Sequence, residues 1–238
     1  MPDMFWFGFR SRKPTPPQLS AVFVSETGLV RKENQDNVLV ALHRGVFCVA
    51  DGVGGAVDGG SASAILVHEL RMMMHAVEEN FESRVSAAQL ALVSANIEIY
   101  KCSRERGAGT MGTTAAVMVF DLADRTRAAV IHVGDSRVYR IRGGMAKALT
   151  RDHRTPGGNA LTRAIGAGPT VKCDCAEIDV RPGDRFVICS DGVHGMVSDG
   201  RIAAFVAKGQ LDAAAERLSA EVVKHGAEDN YSFILIEA

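Results

Sequence analysis

The order of segments along the chain constrains its fold more than any single motif does. Three short β-rich runs come first, "SAVFVSET", "NVLVALH" and "GVFCVAD", separated by turn residues. Two helical stretches follow. Ala62, Ile65, Leu66, Leu70, Met73 and Val77 recur at helical spacing, and Leu90, Val93, Ile97 and Tyr100 repeat the pattern. The run Met72-Met73-Met74 reads as core packing. β-rich runs then return as "TTAAVMVFDL", "RAAVIHVGD", "SRVYRIRGG", "CAEIDV" and "DRFVICSD", with a hairpin turn expected at Arg142-Gly143-Gly144. Helices are predicted around Asp199 to Val206 and Leu211 to Val223, ahead of a last strand in "YSFILIEA". This is not the βαβα alternation of a parallel sheet. It predicts an α+β fold of antiparallel sheets with paired helices packed on them.

At 238 residues the chain suits one substantial domain, and its hydrophobic and charged fractions are those of a soluble globular protein. A formal net charge of −1 argues against a general nucleic-acid binder. No apolar run is long enough to span a bilayer. Residues 1–18 read as a tail or linker, because Pro14, Pro16 and Pro17 interrupt regular structure, and Phe5, Trp6, Phe7 and Phe9 are candidates for docking. The domain is then expected over residues 19–238. Five cysteines and no secretory signal suit a reducing cytoplasm. Cys48 and Cys189 sit in apolar strand-like runs, and the lone Cys173-x-Cys175 pair does not make a zinc site.

The stretch "FCVADGVGGAVDGGSAS" carries an aspartate into a loop dense in glycine. Asp51 shares its local grammar with Asp135 and Asp191, each directly after a β-rich run and before Gly or a small polar residue. Asp229 and Asn230 precede the final strand in the same way. One such aspartate is usually a turn former. Four imply that sheet ends gather carboxylates, which repel unless cations neutralise them. Oxygen-only ligands select hard ions such as Mg²⁺ or Mn²⁺. Arg31 lies on a loop with Asn34, Gln35 and Asp36, and a guanidinium fork beside such a centre suits a phosphate. A P-loop is excluded because no Gly-Lys-Ser/Thr follows the glycines.

"GLVRKENQD", "VADGVGG", "GTTAAVMV", "HVGDSRVYRIRGG", "LTRDH", "LTRAIG", "CSDGV" and "EDNYSFILI" occur in the order seen in type 2C serine/threonine protein phosphatases. From about residue 20 onward the chain resembles the compact bacterial branch of this metal-dependent PPM family. The resemblance implies a four-layer αββα sandwich of two antiparallel β-sheets flanked by helix pairs. It implies hydrolysis of phosphoserine and phosphothreonine in proteins by a metal-activated water, opposing a bacterial Ser/Thr kinase, in a cytoplasmic monomer. It also implies two core Mn²⁺ or Mg²⁺ ions, with a third, weaker one. Asp51 would bridge the pair, with the Gly52 carbonyl, Asp191 and Asp229 as further ligands and Asp36 acting through water. Asp135 would help Asp191 hold the third ion. Arg31 would bind phosphate, so Arg31 and Asp51 are the expected catalytic residues. The alternative is a catalytically weak phosphoprotein-binding pseudophosphatase.

Three departures from the family pattern stand out. Val53 replaces a histidine that many eukaryotic relatives carry, and Gln35 stands where many relatives have Glu. The flap is shortened, since only Arg154 to Ala160 separate "RDH" from "LTRAIG". That shortening predicts an open site. His153 and Thr162 are expected to hold loops by hydrogen bonds, His132 to be packed or paired, and His194 is a candidate neighbour of the metals.

Overall fold

The computed structural model describes residues 19–54, 59–77, 80–106, 111–123, 125–158 and 160–238. The proposed tail of residues 1–18, its aromatic cluster, and Gly55 to Asp58 of the glycine-rich loop lie outside the described residues. In chain order the strands and helices are β1 (Ser20–Glu26), β2 (Asp36–Ala41), β3 (Val46–Val53), α1 (Gly59–Ala76), α2 (Phe81–Arg106), β4 (Gly112–Thr113), β5 (Ala115–Phe120), β6 (Arg127–Val133) and β7 (Arg137–Arg142). They continue as β8 (Met145–Ala148), β9 (Asp174–Asp179), β10 (Arg185–Cys189), α3 (Asp191–His194), α4 (Asp199–Val206), α5 (Leu211–Lys224) and β11 (Tyr231–Glu237).

Two antiparallel sheets result, one ordered β1-β11-β10-β7-β8 and the other β2-β3-β5-β6-β9, with β4 pairing β3 at one end. The pleat sends alternate residues to opposite faces, and both faces of the central strands are buried. Phe47, Val49, Met118, Phe120, Phe186, Ile188 and Ile234 fill the space between the sheets. Phe120 meets Phe47 and Phe186 edge-on, with ring centroids 5.7 and 5.5 Å apart. The alternate residues Cys48, Val117 and Ile131 face Leu66, Leu70, Leu92 and Ile99 of α1 and α2. Val187, Phe233 and Leu235 face Ile202, Val206, Leu218 and Val222 of α4 and α5. The result is the four-layer αββα sandwich. Gly143 and Gly144, with φ of 60° and 79°, form the expected two-residue hairpin turn between β7 and β8.

The outer helix of the first pair departs from its predicted pattern. Leu90, Val93 and Ile97 are 59, 42 and 59% exposed, so these three residues of the predicted stripe point outward. Its buried face is Ala87, Ala88, Ala91, Leu92, Ala95 and Ile99. Alanine lets the helix pack closely while adding little to an apolar pattern built on large side chains. Of the methionine run, Met74 is buried, Met73 is half-buried and Met72 is exposed. No helix among the described residues is long and apolar enough to cross a membrane.

Candidate active site

The acidic residues meet at one end of the sandwich because the two sheets deliver them there from distant parts of the chain. Asp36, the first residue of β2, pairs in register with Asp51 on β3. Asp51 does not close its strand, which runs on to Val53 beside β4. The "GTT" segment clamps its backbone. Thr113 Oγ1 and the Thr114 amide both donate to the Asp51 carbonyl, at 3.0 and 2.8 Å, and the Asp51 amide donates to Thr114 Oγ1 at 3.0 Å. The next residue must be glycine. A Cβ at Gly52 would lie 2.2 Å from the Gly59 carbonyl oxygen and 2.7 Å from that of Gln35. Gly52 and Gly59 thus let the start of α1 lie directly against the strand that carries Asp51.

On the other sheet, Asp191 opens the short helix α3 instead of closing β10. Ser190, just before it, donates through Oγ to Asp36 Oδ2 at 2.8 Å and so links the two sheets. Asn230 is a three-point hub. It accepts from the Gln35 amide at 2.9 Å and donates to the Thr27 and Glu33 carbonyls at 2.9 and 2.8 Å. This fixes the loop of Arg31 beside Asp229. Gln35 therefore serves structure through its backbone: its carbonyl also takes the Gly52 amide at 3.1 Å and Ser63 Oγ at 2.5 Å.

Carboxylate oxygens of Asp51, Asp135 and Asp191 converge within 4.8 Å of one another, the one such potential metal-holding group among the described residues. Burial, then repulsion from Asp36, drives the Asp51 carboxyl well above the usual carboxylate range. Burial likewise pushes Asp36 up to about 6. Asp36 Oδ1 is buried without a hydrogen-bond partner. Anions crowded and desolvated in this way call for cations, and an all-oxygen donor set fits divalent Mg²⁺ or Mn²⁺.

Arg31, Gln35, Asp51, Gly52, Val53, Asp191 and Asp229 line one cleft of ≈ 460 Å³. Arg31 Nη2 donates to Asp229 Oδ2 at 2.8 Å. Arg154 lies at the start of the shortened flap. It donates through Nε to Asp135 Oδ2 and through Nη2 to Asp191 Oδ2, the latter at 2.7 Å. Neither this role of Arg154 nor the supporting roles of Thr113, Thr114, Ser190 and Asn230 is evident in the sequence pattern. The available signal is that Ser190 and Asn230 each adjoin a motif aspartate, whereas the motif of Thr113 and Thr114 carries none.

The remaining candidates take structural places. His153 Nδ1 accepts from the Gly134 amide at 3.1 Å and its Nε2 donates to Asp174 Oδ2 at 3.1 Å. The Thr162 amide donates to the His153 carbonyl at 2.7 Å. His194 Nε2 donates to the Asp135 carbonyl at 3.0 Å, steadying the backbone of that loop. His132 is buried against His153, the two rings tilted by 43° with centroids 4.7 Å apart. Cys48 and Cys189 are fully buried and burial pushes both thiols up, so neither is a nucleophile.

Comparison with known proteins bears on fold and family. The "PppA, a key regulatory component of T6SS" structure from Pseudomonas aeruginosa superposes with a TM-score of 0.86 at 30% identity, covering 93% of this chain and 98% of that one. The serine/threonine phosphatase stp of Listeria monocytogenes is 28% identical over 92% of this chain and 96% of its own length. The serine/threonine protein phosphatase PstP of Mycobacterium tuberculosis is 27% identical over 90% of this chain, which spans only 44% of PstP. The PstP catalytic domain, solved with two manganese ions, covers 92% of this chain and 97% of that structure at 25% identity and a TM-score of 0.79. The family model for protein phosphatase 2C matches residues 30–225. With that match over most of its length, on a two-sheet sandwich whose end gathers the acidic residues, the chain belongs to the protein phosphatase 2C family.

Proposed function

We propose that residues 19–238 form a metal-dependent phosphatase that hydrolyses phosphoserine and phosphothreonine in proteins. The observation that carries this reading is the convergence of Asp51, Asp135 and Asp191, two of which, Asp51 and Asp191, line the cleft that Arg31 and Asp229 also border. Asp36, Asp51, Asp191, Asp229 and the Gly52 carbonyl would hold a pair of Mn²⁺ or Mg²⁺ ions. When bound, such a pair lowers the pKa of a water and offsets charge on the phosphoryl oxygens. The chain's own residues do the rest. Arg31 exchanges its pairing with Asp229 for the phosphate, and its planar fork orients two phosphoryl oxygens at once. Thr113 and Thr114 hold the Asp51 backbone in place. Asn230 keeps the Arg31 loop against the cleft, so little ordering is needed when substrate arrives. The matched acidic positions are all present, which supports turnover over a binding-only role. A kinase that phosphorylates serine and threonine is the reaction class that supplies this substrate.

The test is phosphate release from a phosphothreonine peptide during a Mn²⁺ titration, beside Asp51→Asn. We expect release only with the divalent ion, and a loss exceeding about 100-fold in D51N, the equivalent of several kcal/mol of lost stabilisation. Release that survives chelation, or a D51N variant at the wild-type rate, would sink the reading.

A further inference from the structure

We infer that Arg154 takes the place of a third metal ion, so that this phosphatase works with two ions and a built-in guanidinium. The inference rests on the metal-dependent reading above and specifies its metal count. A third ion, as the family resemblance implies, would draw on Asp135 together with Asp191. An ion shared by those two carboxylates would have to displace Arg154, which donates to one oxygen of each. Two arms of one planar group reach two carboxylates, one on the loop after β6 and one at the start of α3, and the charge on that group is permanent.

The backbone around Arg154 is tied down on both sides. The His153 amide donates to the Gly134 carbonyl at 2.8 Å, which places the flap root against the loop of Asp135. Arg154 and Leu161 form a β-bridge, and the Thr155 amide donates to the Ala160 carbonyl at 2.9 Å. The ends of the shortened flap are thus paired to each other. Asp135 is 4% exposed and is steadied through its carbonyl by His194, so both members of the ion pair are fixed. The flap's shortening and the cation are one feature: the loop that remains is closed by pairing immediately after the residue that fills the site.

Metal counting tests this without relying on turnover. Purified full-length chain is equilibrated by dialysis against rising Mn²⁺, and bound manganese is read by elemental mass spectrometry, alongside circular dichroism for folding. We expect two ions in the wild type up to millimolar Mn²⁺ and a third, weaker one in Arg154→Ala. Arg154→Gln, similar in reach but uncharged, serves if the alanine variant misfolds and should also admit the third ion. Asp135→Asn in the otherwise unaltered chain should leave the count at two. Three ions in the wild type, with the third lost in D135N, would overturn the inference. So would a count of two in both folded Arg154 variants. A chain that holds two ions but releases no phosphate would refute the phosphatase reading while still supporting this one.

Discussion

Gly192 offers a sharp test of how the two halves of the site are held together. It follows Asp191 in α3, and a Cβ built there would lie 2.0 Å from the Asn230 carbonyl oxygen and 3.2 Å from Tyr231 Cα. Ordinary contact begins at about 3.4 Å, so Gly192→Ala must separate α3 from β11 by roughly 1.4 Å. Both partners are backbone, so no flexible side chain can absorb the change. Overpacking of this kind costs about 1–3 kcal/mol, and at the upper end it lowers Tm by roughly 6–12 °C in a domain of this size. The separation also moves Asp191 relative to Asp229 and Asn230, and misplacement by about 1 Å can cost on the order of 100-fold in rate. Gly200→Ala is the control. Its Cβ meets nothing within 4 Å and it lies in helix α4, so alanine should be neutral or stabilising by up to about 1 kcal/mol. Thermal unfolding at fixed Mn²⁺ and peptide kinetics read both variants. A Gly192→Ala protein with wild-type Tm and kcat/KM would refute the close approach.

Two further expectations follow from side chains with contrasting roles. Arg31→Ala removes charge-assisted hydrogen bonds to phosphate worth about 1.5–3 kcal/mol, so KM for phosphopeptides should rise at least about tenfold while bound manganese stays at the wild-type count; an unchanged KM would exclude Arg31 from substrate binding. His132 is held neutral in the fold, first by burial and then by its closeness to His153, with its pKa lowered from 6.5 to about 4. The unfolded chain takes up that proton as pH falls below 6.5, whereas the folded chain does so only near 4. The stability tied to the neutral ring is therefore intact above 6.5 and is lost across that window, by roughly 3 kcal/mol at its foot. Chemical denaturation of His132→Phe from pH 7 to 4.5 should show a shallower loss than the wild type, and parallel curves would reject the assignment.

Asp51, Asp135, Asp191 and Asp229 were legible because each borders a β-rich run next to a glycine or a small polar residue, although Asp51 proves to lie within its strand. What places them precisely against one another was not. Thr113 and Thr114 act on the Asp51 backbone, and Asn230 on the carbonyls of Thr27 and Glu33. Such hydrogen bonds depend on strand register and on loops brought together from opposite ends of the chain. The face of α2 misled for a different reason. Leu90, Val93 and Ile97 lie on the outer side, while the inner face is built mostly of alanines with Leu92 and Ile99, so the recurrence of those three large side chains pointed the helix the wrong way. Arg154 was hidden by the shortened flap, which removed the surroundings that would have marked its position.

Charge counting ties the departures from the family pattern together. Asp36, Asp51, Asp135, Asp191 and Asp229, all ionised, face the guanidinium groups of Arg31 and Arg154 and leave three negative charges uncompensated. Two divalent ions turn that into a single positive charge, suited to a phosphate monoester that carries about −1.5 to −2 at neutral pH. A guanidinium contributes one charge fewer than the ion it replaces. Gln35, lining the same cleft where many relatives have Glu, removes one negative charge from the opposite side of the balance. The two substitutions offset each other and keep the field at the cleft close to that of a centre with three ions and an additional carboxylate. Because the guanidinium is covalently part of the chain, its share of that field does not depend on how much free metal is available.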